Sequence, residues 1–142
     1  MSVRQLCGAS VIIYKDNKVL LQQRKDNKCW GYVGGRIEAG EVVEEAAKRE
    51  MFEESGLIAQ TLELFGVFSG SELYHVYPDG NEVHIIDIVF TCSEFIGNLK
   101  VQESEVLDLQ WFDYDNIPDN LSPPIRPALM KFIQTRRAYF KV

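Results

Sequence analysis

Residues 35–57 read GRIEAGEVVEEAAKREMFEESGL, and this stretch decides the fold. Val43, Ala46 and Ala47 recur at the spacing of one face of an α-helix, and good helix formers fill the positions between them. Gly56 stands where helices often end, because glycine adopts the left-handed conformation of a C-terminal cap without strain. The stretch therefore predicts a helix that ends at Gly56.

The apolar face of this helix continues into three carboxylates. Glu50, Glu53 and Glu54 follow Ala46 and Ala47 by one turn and are mutual neighbours at i, i+3 and i+4. Two carboxylates roughly 5–6 Å apart repel by about 1 kcal/mol in water, and the helix dipole disfavours negative charge in the last turn. A bound divalent cation would offset both penalties, and hard oxygen ligands suit Mg²⁺ or Mn²⁺. On these residues alone, a solvated Glu-rich face is the alternative.

The composition is that of a soluble globular domain. The chain has 142 residues, of which 46% are hydrophobic and 25% charged, and this predicts one domain over residues 1–142. The net charge of −6 argues against a general affinity for nucleic acid or anionic membranes, but it leaves room for a small phosphorylated ligand. No apolar run approaches the about 18 residues of a membrane span, and MSVRQLCGAS lacks the apolar core of a secretory signal.

The cysteines point to a reducing compartment. Cys7, Cys29 and Cys92 are far apart and form no CxxC pair. A zinc site or a disulfide framework is therefore not expected, and the cytoplasm is the expected location.

The segments before the helix predict a hairpin and a glycine turn. Residues 11–14 and 19–24 are β-rich runs separated by the turn sequence KDNK. Gly34 and Gly35 follow soon after Trp30, and glycine permits both turns and close approach of the backbone to a ligand. A plain turn is the expected role of this pair.

The segments after the helix predict further strands and a second helix, an order typical of α+β folds. Strands are expected at 59–68, at 83–91 in the centre of the sheet and at 107–111, a connection at 95–101, and a helix from about Pro124. We expect either a general α+β fold or a three-layer sandwich with a mixed sheet between helices. The second helix would cover the sheet face opposite the first.

The flanks of the carboxylate cluster carry a resemblance. Starting at Gly35, the pattern is G-x5-E-x7-R-E-M-F-E-E-S-G-L, which resembles the complete signature of the Nudix hydrolases. Trp30 ahead of the glycines, and Glu105 shortly ahead of Trp111, are similar to the wider layout of the family. One departure is Val33, where the family often has proline, and this affects the stiffness of the loop rather than the chemistry.

The resemblance implies both a fold and a reaction. The fold would be the Nudix α/β/α sandwich with a mixed sheet. The reaction would be hydrolysis of a nucleoside diphosphate linked to another moiety X, assisted by Mg²⁺ or Mn²⁺. Glu50, Glu53 and Glu54 match the metal-binding carboxylates of the family, with the Gly35 carbonyl as a further ligand.

The resemblance also implies roles beside the metal. Glu41 and Arg49 match residues that hold the loop and helix together by ion pairing, and Glu41 could also sit in the outer metal shell. The base that takes the proton from water would be Glu50 or Glu54, or a residue outside the signature, because a ligand that already donates to metal is a poorer base.

Two acids lie in the segment VQESEVLD, just before the last expected strand. Glu103 and Glu105 are both candidates for the catalytic base, and Glu105 is favoured. The alternative for Glu105 is a solvated loop acid.

Substrate contacts lie outside the signature. The polar loop 69–81 is the expected specificity element, because binding residues gather on loops held by a rigid sheet. Arg24 could reach a phosphate, and aromatic side chains could stack on a base. The aromatic candidates are Trp30, Phe68, Tyr74 and Tyr77.

Several alternatives stay open from the sequence. The moiety X could belong to ADP-ribose, a nucleotide sugar, a dinucleoside polyphosphate or an oxidised nucleoside triphosphate. The resemblance leaves both a monomer and a homodimer open. A non-hydrolytic, nucleotide-sensing module with the same fold is the alternative function, although such a module would have lost metal carboxylates, and Glu50, Glu53 and Glu54 are all present.

Overall fold

The computed structural model describes residues 3–77 and 79–140. Within these ranges the chain forms ten strands, two α-helices and one 3-10 turn. The strands are β1 (Val3–Lys15), β2 (Lys18–Arg24), β3 (Trp30–Gly31), β4 (Val33–Arg36), β5 (Leu57–Ala59), β6 (Glu63–Phe68), β7 (Tyr74–Val76), β8 (Glu82–Cys92), β9 (Phe95–Gly97) and β10 (Val106–Asp113). The helices are α1 (Val43–Ser55) and α2 (Arg126–Phe140), with the 3-10 turn at Pro123–Ile125.

A mixed sheet forms the middle layer. Its main path is β10-β2-β1-β8-β6, and β3, β4 and β7 pair with β2, β1 and β8 respectively. β1 runs parallel to β8, from Val3 opposite Glu82 to Ile13 opposite Cys92, and antiparallel to β2 and β4. The predicted α+β class, with a mixed sheet between helices, is confirmed.

The two helices cover opposite faces of this sheet. Val11 and Ile13 of β1 share one buried cluster with Met51 of α1, whereas Ile12 shares another with Leu129 of α2. Successive side chains of a strand point to opposite faces, so β1 contributes to both layers of the core. The expected placement of the second helix is confirmed.

The predicted end of the first helix is also confirmed. Gly56 follows α1 with φ of 81°, in the left-handed region, and its N–H donates to the Phe52 carbonyl at 2.9 Å. At the other end of the chain, the 3-10 turn leads directly into α2, and Pro127 lies in the first turn of that helix. The proline is tolerated there because the first N–H groups of a helix have no partner within it.

The hairpin and two of the later strands are confirmed. Tyr14 pairs with Val19 across the turn between β1 and β2. The run 83–91 lies within β8, which has neighbours on both edges, and 107–111 lies within β10 on β2.

The segment predicted as one strand at 59–68 is two strands in two sheets, so that prediction was wrong. Ala59 ends β5 opposite Phe95, in a small separate sheet with β9, and Glu63 begins β6 on the edge of β8. The expected connection 95–101 accordingly begins with a strand. A continuous apolar run does not reveal that its two ends have different partners.

Within residues 3–77 and 79–140, the helices are too short or too polar to cross a membrane.

Candidate active site

Strand β4 carries the two glycines of the predicted turn, and the turn prediction was wrong. Gly34 pairs with Ser10 and Gly35 with Ala9 in the ladder to β1. A Cβ on Gly34 would lie 2.2 Å from Ser10 Oγ, and a Cβ on Gly35 would lie 2.5 Å from the Glu50 carboxyl carbon. The glycines therefore leave room for close neighbours on either side of β4, Gly34 for Ser10 and Gly35 for the Glu50 carboxylate.

Arg49 is the centre of an ion-pair network on α1. Its guanidinium donates to both carboxylate oxygens of Glu41, at 2.7 and 3.0 Å. It also donates to Glu50 at 2.9 Å, to Glu53 at 3.3 Å and to the Arg36 carbonyl at 3.2 Å. The planar fork of arginine suits this arrangement, because several N–H groups point outward in fixed directions. One side chain therefore joins the loop before α1 to the helix itself.

Glu41 is held in its charged form by this network. The side-chain hydrogen bond from Arg49 is the largest cause that lowers the pKa of Glu41 to about 2, and the Glu38 N–H also donates to its carboxylate. The loop that precedes α1 is thereby fixed against the helix.

Glu54 has a different environment from Glu41. Its side chain is only 5% exposed, and one oxygen accepts the Gly34 N–H at 2.7 Å. Burial raises the pKa of Glu54 to about 8, although the hydrogen bonds from Gly34 and Gln22 oppose the shift, and the charge of Glu50 reinforces it. Without a bound metal ion, the raised pKa of Glu54 favours the protonated form of its carboxyl group near neutral pH, even with the charge of Arg24 acting against it.

Glu50 and Glu53 complete the acidic face of α1. Burial is the largest cause that raises the pKa of Glu50, with Arg49 acting against it and the charges of Glu53 and Glu105 acting with it. The side chain of Glu53 is 46% exposed. On this helix face, the exposed fraction therefore increases from Glu54 through Glu50 to Glu53.

The donor set of this face fits a hard divalent cation. In residues 3–77 and 79–140, no three Asp, Glu, His or Cys side chains already stand together as metal ligands. Arg49 holds Glu50 and Glu53, while Glu54 turns to Gly34. However, all the donors are oxygens, and burial penalises the charged forms of both Glu50 and Glu54. A bound cation would offset that penalty by stabilising the charged carboxylates, and oxygen ligands of this kind suit Mg²⁺ and Mn²⁺.

The structure separates the two acids that precede β10. The charge of Glu105 acts on both Glu50 and Arg24, so its carboxylate belongs to the electrostatic surroundings of the signature. Glu103 instead contributes its backbone carbonyl to Lys25, whose ammonium group donates to it at 2.8 Å.

A cavity of about 240 Å³ opens beside β4. Gly34 and Gly35 form part of its wall, together with Gln22 and Arg24 at the end of β2. The Arg24 guanidinium donates twice to Asp26 at 3.1 Å, which is the largest cause that raises its pKa. The cavity and the acidic face of α1 therefore share the glycine strand.

Part of the stretch 69–81, which was expected to be a loop and the specificity element, lines the same cavity, but residues 74–76 form strand β7 rather than a loop. Leu73, His75 and Tyr77 all contribute to the cavity wall. Tyr77 is 42% exposed, and its ring packs edge-on against His75 at 4.6 Å between centroids.

The rings of the two other aromatic candidates, Tyr74 and Trp30, pack against side chains of the protein itself. The Tyr74 hydroxyl donates to Glu82, and its ring lies 5.1 Å from that of His84. Trp30 is 8% exposed and packs edge-on against Phe112 at 4.9 Å.

The sequence analysis missed one buried carboxylate, which lies at the floor of the cavity. Asp87 of β8 is 5% exposed and accepts hydrogen bonds from the Ser10 hydroxyl at 2.6 Å and the Tyr32 hydroxyl at 2.8 Å. Ser10, Tyr32 and Asp87 all line the cavity. The signal that could have found this group is one charged residue inside the otherwise apolar core of HIIDIVFT.

Comparisons with known proteins agree with the fold and the signature. The family model of the NUDIX domain matches residues 5–133. The chain is 42% identical over 110 residues to an ADP-ribose pyrophosphatase of Methanocaldococcus jannaschii, covering 75% of this chain and 61% of that protein. It is 36% identical over 115 residues to an oxidized purine nucleoside triphosphate hydrolase of Mus musculus, covering 76% and 66%. The chain thus spans a little under two thirds of the length of these relatives.

A solved structure extends the comparison to three dimensions. The structure of a MutT NUDIX hydrolase from Burkholderia pseudomallei superimposes with a TM-score of 0.77 at 30% identity. The match covers 89% of this chain and 96% of that one.

Proposed function

The chain belongs to the Nudix hydrolase family, and from this premise we propose that it hydrolyses the pyrophosphate linkage of a nucleoside diphosphate joined to a second moiety X. The products would be a nucleotide and a phosphorylated X, or a nucleoside monophosphate and pyrophosphate from a triphosphate. We assign the reaction to residues 1–142 as one domain acting in the cytoplasm, as a monomer or a homodimer. The three cysteines, Cys7, Cys29 and Cys92, are free thiols, as a reducing compartment requires.

One observation carries this proposal. Glu50 and Glu54 are packed against Gly35 and Gly34 of β4, and the same two glycines line the cavity. Gln22 also lines the cavity and donates a hydrogen bond to Glu54, so a ligand in the cavity would lie next to the acidic face of α1.

In the proposed enzyme, Glu50, Glu53, Glu54 and the Gly35 carbonyl hold Mg²⁺, or Mn²⁺ in its place. When bound, the ion would neutralise the charge of the phosphate oxygens and lower the pKa of the water molecule that attacks. Arg49 keeps the glutamates on one face, and its bidentate contact with Glu41 fixes the loop that leads into α1. These two residues position the ligands.

We assign the catalytic base to Glu105. It is exposed, and its charge acts on Glu50, so it can take a proton from a water near the acidic face. Glu50 and Glu54 are the other candidates, but both would be engaged in holding the ion.

The lining of the cavity supports a nucleotide ligand. Arg24 supplies a cation for a phosphate, and Tyr77 supplies a partly exposed ring for a base or ribose. Trp30 and Tyr74 support these contacts indirectly. Trp30 of β3 packs on Phe112 of β10, and Tyr74 holds β7 to β8 through its hydroxyl bond to Glu82. The relatives are named for ADP-ribose and oxidised purine nucleoside triphosphates, and these classes head the substrates to test.

The test is a panel of substrates with Mg²⁺, covering ADP-ribose, a nucleotide sugar, a dinucleoside polyphosphate and an oxidised purine nucleoside triphosphate. We expect cleavage of at least one, with loss of turnover by on the order of 10³-fold in Glu54→Gln. Glu44→Gln is the matched control, because Glu44 is an exposed glutamate in the first turn of the same helix. No turnover on any panel member, with Mn²⁺ still bound, would contradict the proposal and favour the nucleotide-sensing module.

A further inference from the structure

The floor of the cavity presents a carboxylate with neutral partners. Asp87 accepts one hydrogen bond on each oxygen, from Ser10 and from Tyr32. A carboxylate has about four acceptor sites, so two remain open after these contacts. Both partners are hydroxyl groups, and burial raises the pKa of Asp87. A ligand that donates hydrogen bonds would therefore stabilise the charged form of this side chain.

A second acceptor lines the same cavity. Gln22 is 3% exposed, and within the described residues its side-chain oxygen meets no hydrogen-bond donor. An unsatisfied buried acceptor destabilises the protein, and a hydrogen-bond donor on a ligand would remove that cost. Gln22 comes from β2, and its amide group also donates to Glu54, so its oxygen lies next to the signature, whereas Asp87 of β8 is the acceptor at the floor.

The chemistry of these acceptors selects among nucleobases. Adenine, cytosine and guanine carry an exocyclic amino group, which is a hydrogen-bond donor. Hypoxanthine and uracil carry an oxygen in place of the 6-amino group of adenine and the 4-amino group of cytosine. That oxygen would face the lone pairs of Asp87. Each of these bases also carries a ring N–H beside that oxygen, but the carboxylate oxygen that accepts from an amino group would face a second acceptor, and a buried acceptor placed against another acceptor disfavours the analogue.

The position of the floor fits a base rather than a phosphate. Gly34 contacts Ser10 on the floor side and donates to Glu54 on the signature side. Arg24, the cation suited to a phosphate, lines the cavity at the end of β2, and Tyr77 lines it from the loop. A negatively charged group would be repelled by Asp87, whereas a neutral base with an amino group would be attracted.

We propose that Asp87 selects substrates whose nucleobase carries an exocyclic amino group. This inference rests on the proposed hydrolase function, and it assigns the base-selecting end of the same site.

The test compares substrates that differ in one group. The kcat/KM ratio of ADP-ribose to its hypoxanthine counterpart is measured for the wild type, for Asp87→Asn and for Asp113→Asn. We expect a wild-type ratio of at least about 10². The ratio should fall to within about fivefold of one in Asp87→Asn, because an amide can turn its NH₂ group toward the oxygen. Asp113→Asn changes an exposed aspartate at the end of β10 and should keep the wild-type ratio.

Binding experiments separate this inference from the hydrolase proposal. Calorimetry with adenosine and inosine monophosphate, and with cytidine and uridine monophosphate, needs neither turnover nor a variant. Tighter binding of the amino-bearing member of at least one pair supports the inference even if no panel substrate is hydrolysed. Equal binding within both pairs overturns it, and so does a selectivity ratio that Asp87→Asn, shown to be folded by circular dichroism, leaves unchanged.

Discussion

Two groups of carboxylates lie on either side of strand β4, and they are stabilised in opposite ways. On the α1 side, Glu41 and Glu50 share the guanidinium of Arg49. On the cavity side, Asp87 is surrounded by hydroxyl groups that carry no charge. Arg49 stabilises the charge of Glu41 and offsets only part of the burial of Glu50, whereas Asp87 accepts hydrogen bonds from hydroxyl groups alone and keeps open acceptor sites.

The difference indicates a division of roles. A network that contains its own cation holds its geometry without a ligand, which suits residues that must position a metal site. A buried carboxylate with open acceptor sites gains most when a ligand arrives, which suits recognition. Glu54 stands between these cases, because it belongs to the signature but is buried like Asp87.

The largest expected effect is the dependence of folding stability on pH that the buried Glu54 causes. The pKa of Glu54 is raised from 4.5 to about 8, so the folded protein binds a proton more tightly than the unfolded chain. The free energy of unfolding should therefore fall as pH rises from about 4.5 to 8, by up to ~1.4 kcal/mol per pH unit. Urea denaturation of the metal-free protein should show a flatter profile for Glu54→Gln in this range.

Glu41 should show the opposite dependence. Its pKa is lowered to about 2, so its contribution is present above pH 4.5 and is lost as pH falls toward 2. Glu41→Gln should flatten the acid limb of the same profile. Equal slopes for the wild type and both variants would break the contrast between paired and buried glutamates.

The next effect concerns the catalytic base. Glu105→Gln should lower kcat on the order of 10²-fold, because proton transfer from water loses its acceptor, while the melting temperature stays close to that of the wild type. Glu103→Gln is the matched control, since the contact of Glu103 with Lys25 is made by the backbone carbonyl. Comparable losses in both variants, or near-normal turnover in Glu105→Gln, would remove Glu105 from this role.

The smallest effects compare the two glycines of β4. In Gly35→Ala the new methyl group would meet the flexible end of Glu50, so kcat should fall about tenfold with little change in stability. In Gly34→Ala it would lie 2.9 Å from the Ser10 backbone, which cannot yield as easily, and stability should fall by about 1–3 kcal/mol. Steady-state kinetics and thermal denaturation of the pair measure both. The reverse pattern would mean that β4 does not separate the two groups as described.

The features of the molecule that could be predicted from the sequence are those with local patterns. The helix α1 and its end at Gly56 follow from side-chain spacing and the conformational freedom of one glycine. The signature itself lies within 23 residues, because Arg49 and its partners are held by one helix and the loop before it. The strand β8 follows from a dense β-branched run.

The features that could not be predicted depend on contacts between distant segments. Ser10 and Asp87 are 77 residues apart, and Tyr32 and Asp87 are 55 apart, so no local spacing records their meeting. The two glycines of β4 were expected in a turn, because the reason for them lies in the side chains of Ser10 and Glu50. The split of 59–68 between two sheets has the same origin, since Ala59 and Glu63 pair with different strands.

The most direct test of the proposed metal site is Mn²⁺ binding, measured through the electron paramagnetic resonance signal of the free ion. The wild type should bind Mn²⁺, and Glu54→Gln should bind it at least about tenfold more weakly. Asp87→Asn and Glu44→Gln should bind it as the wild type does, and Mg²⁺ should compete. Equal affinity in the wild type and Glu54→Gln would contradict the assignment of the metal site to the acidic face of α1.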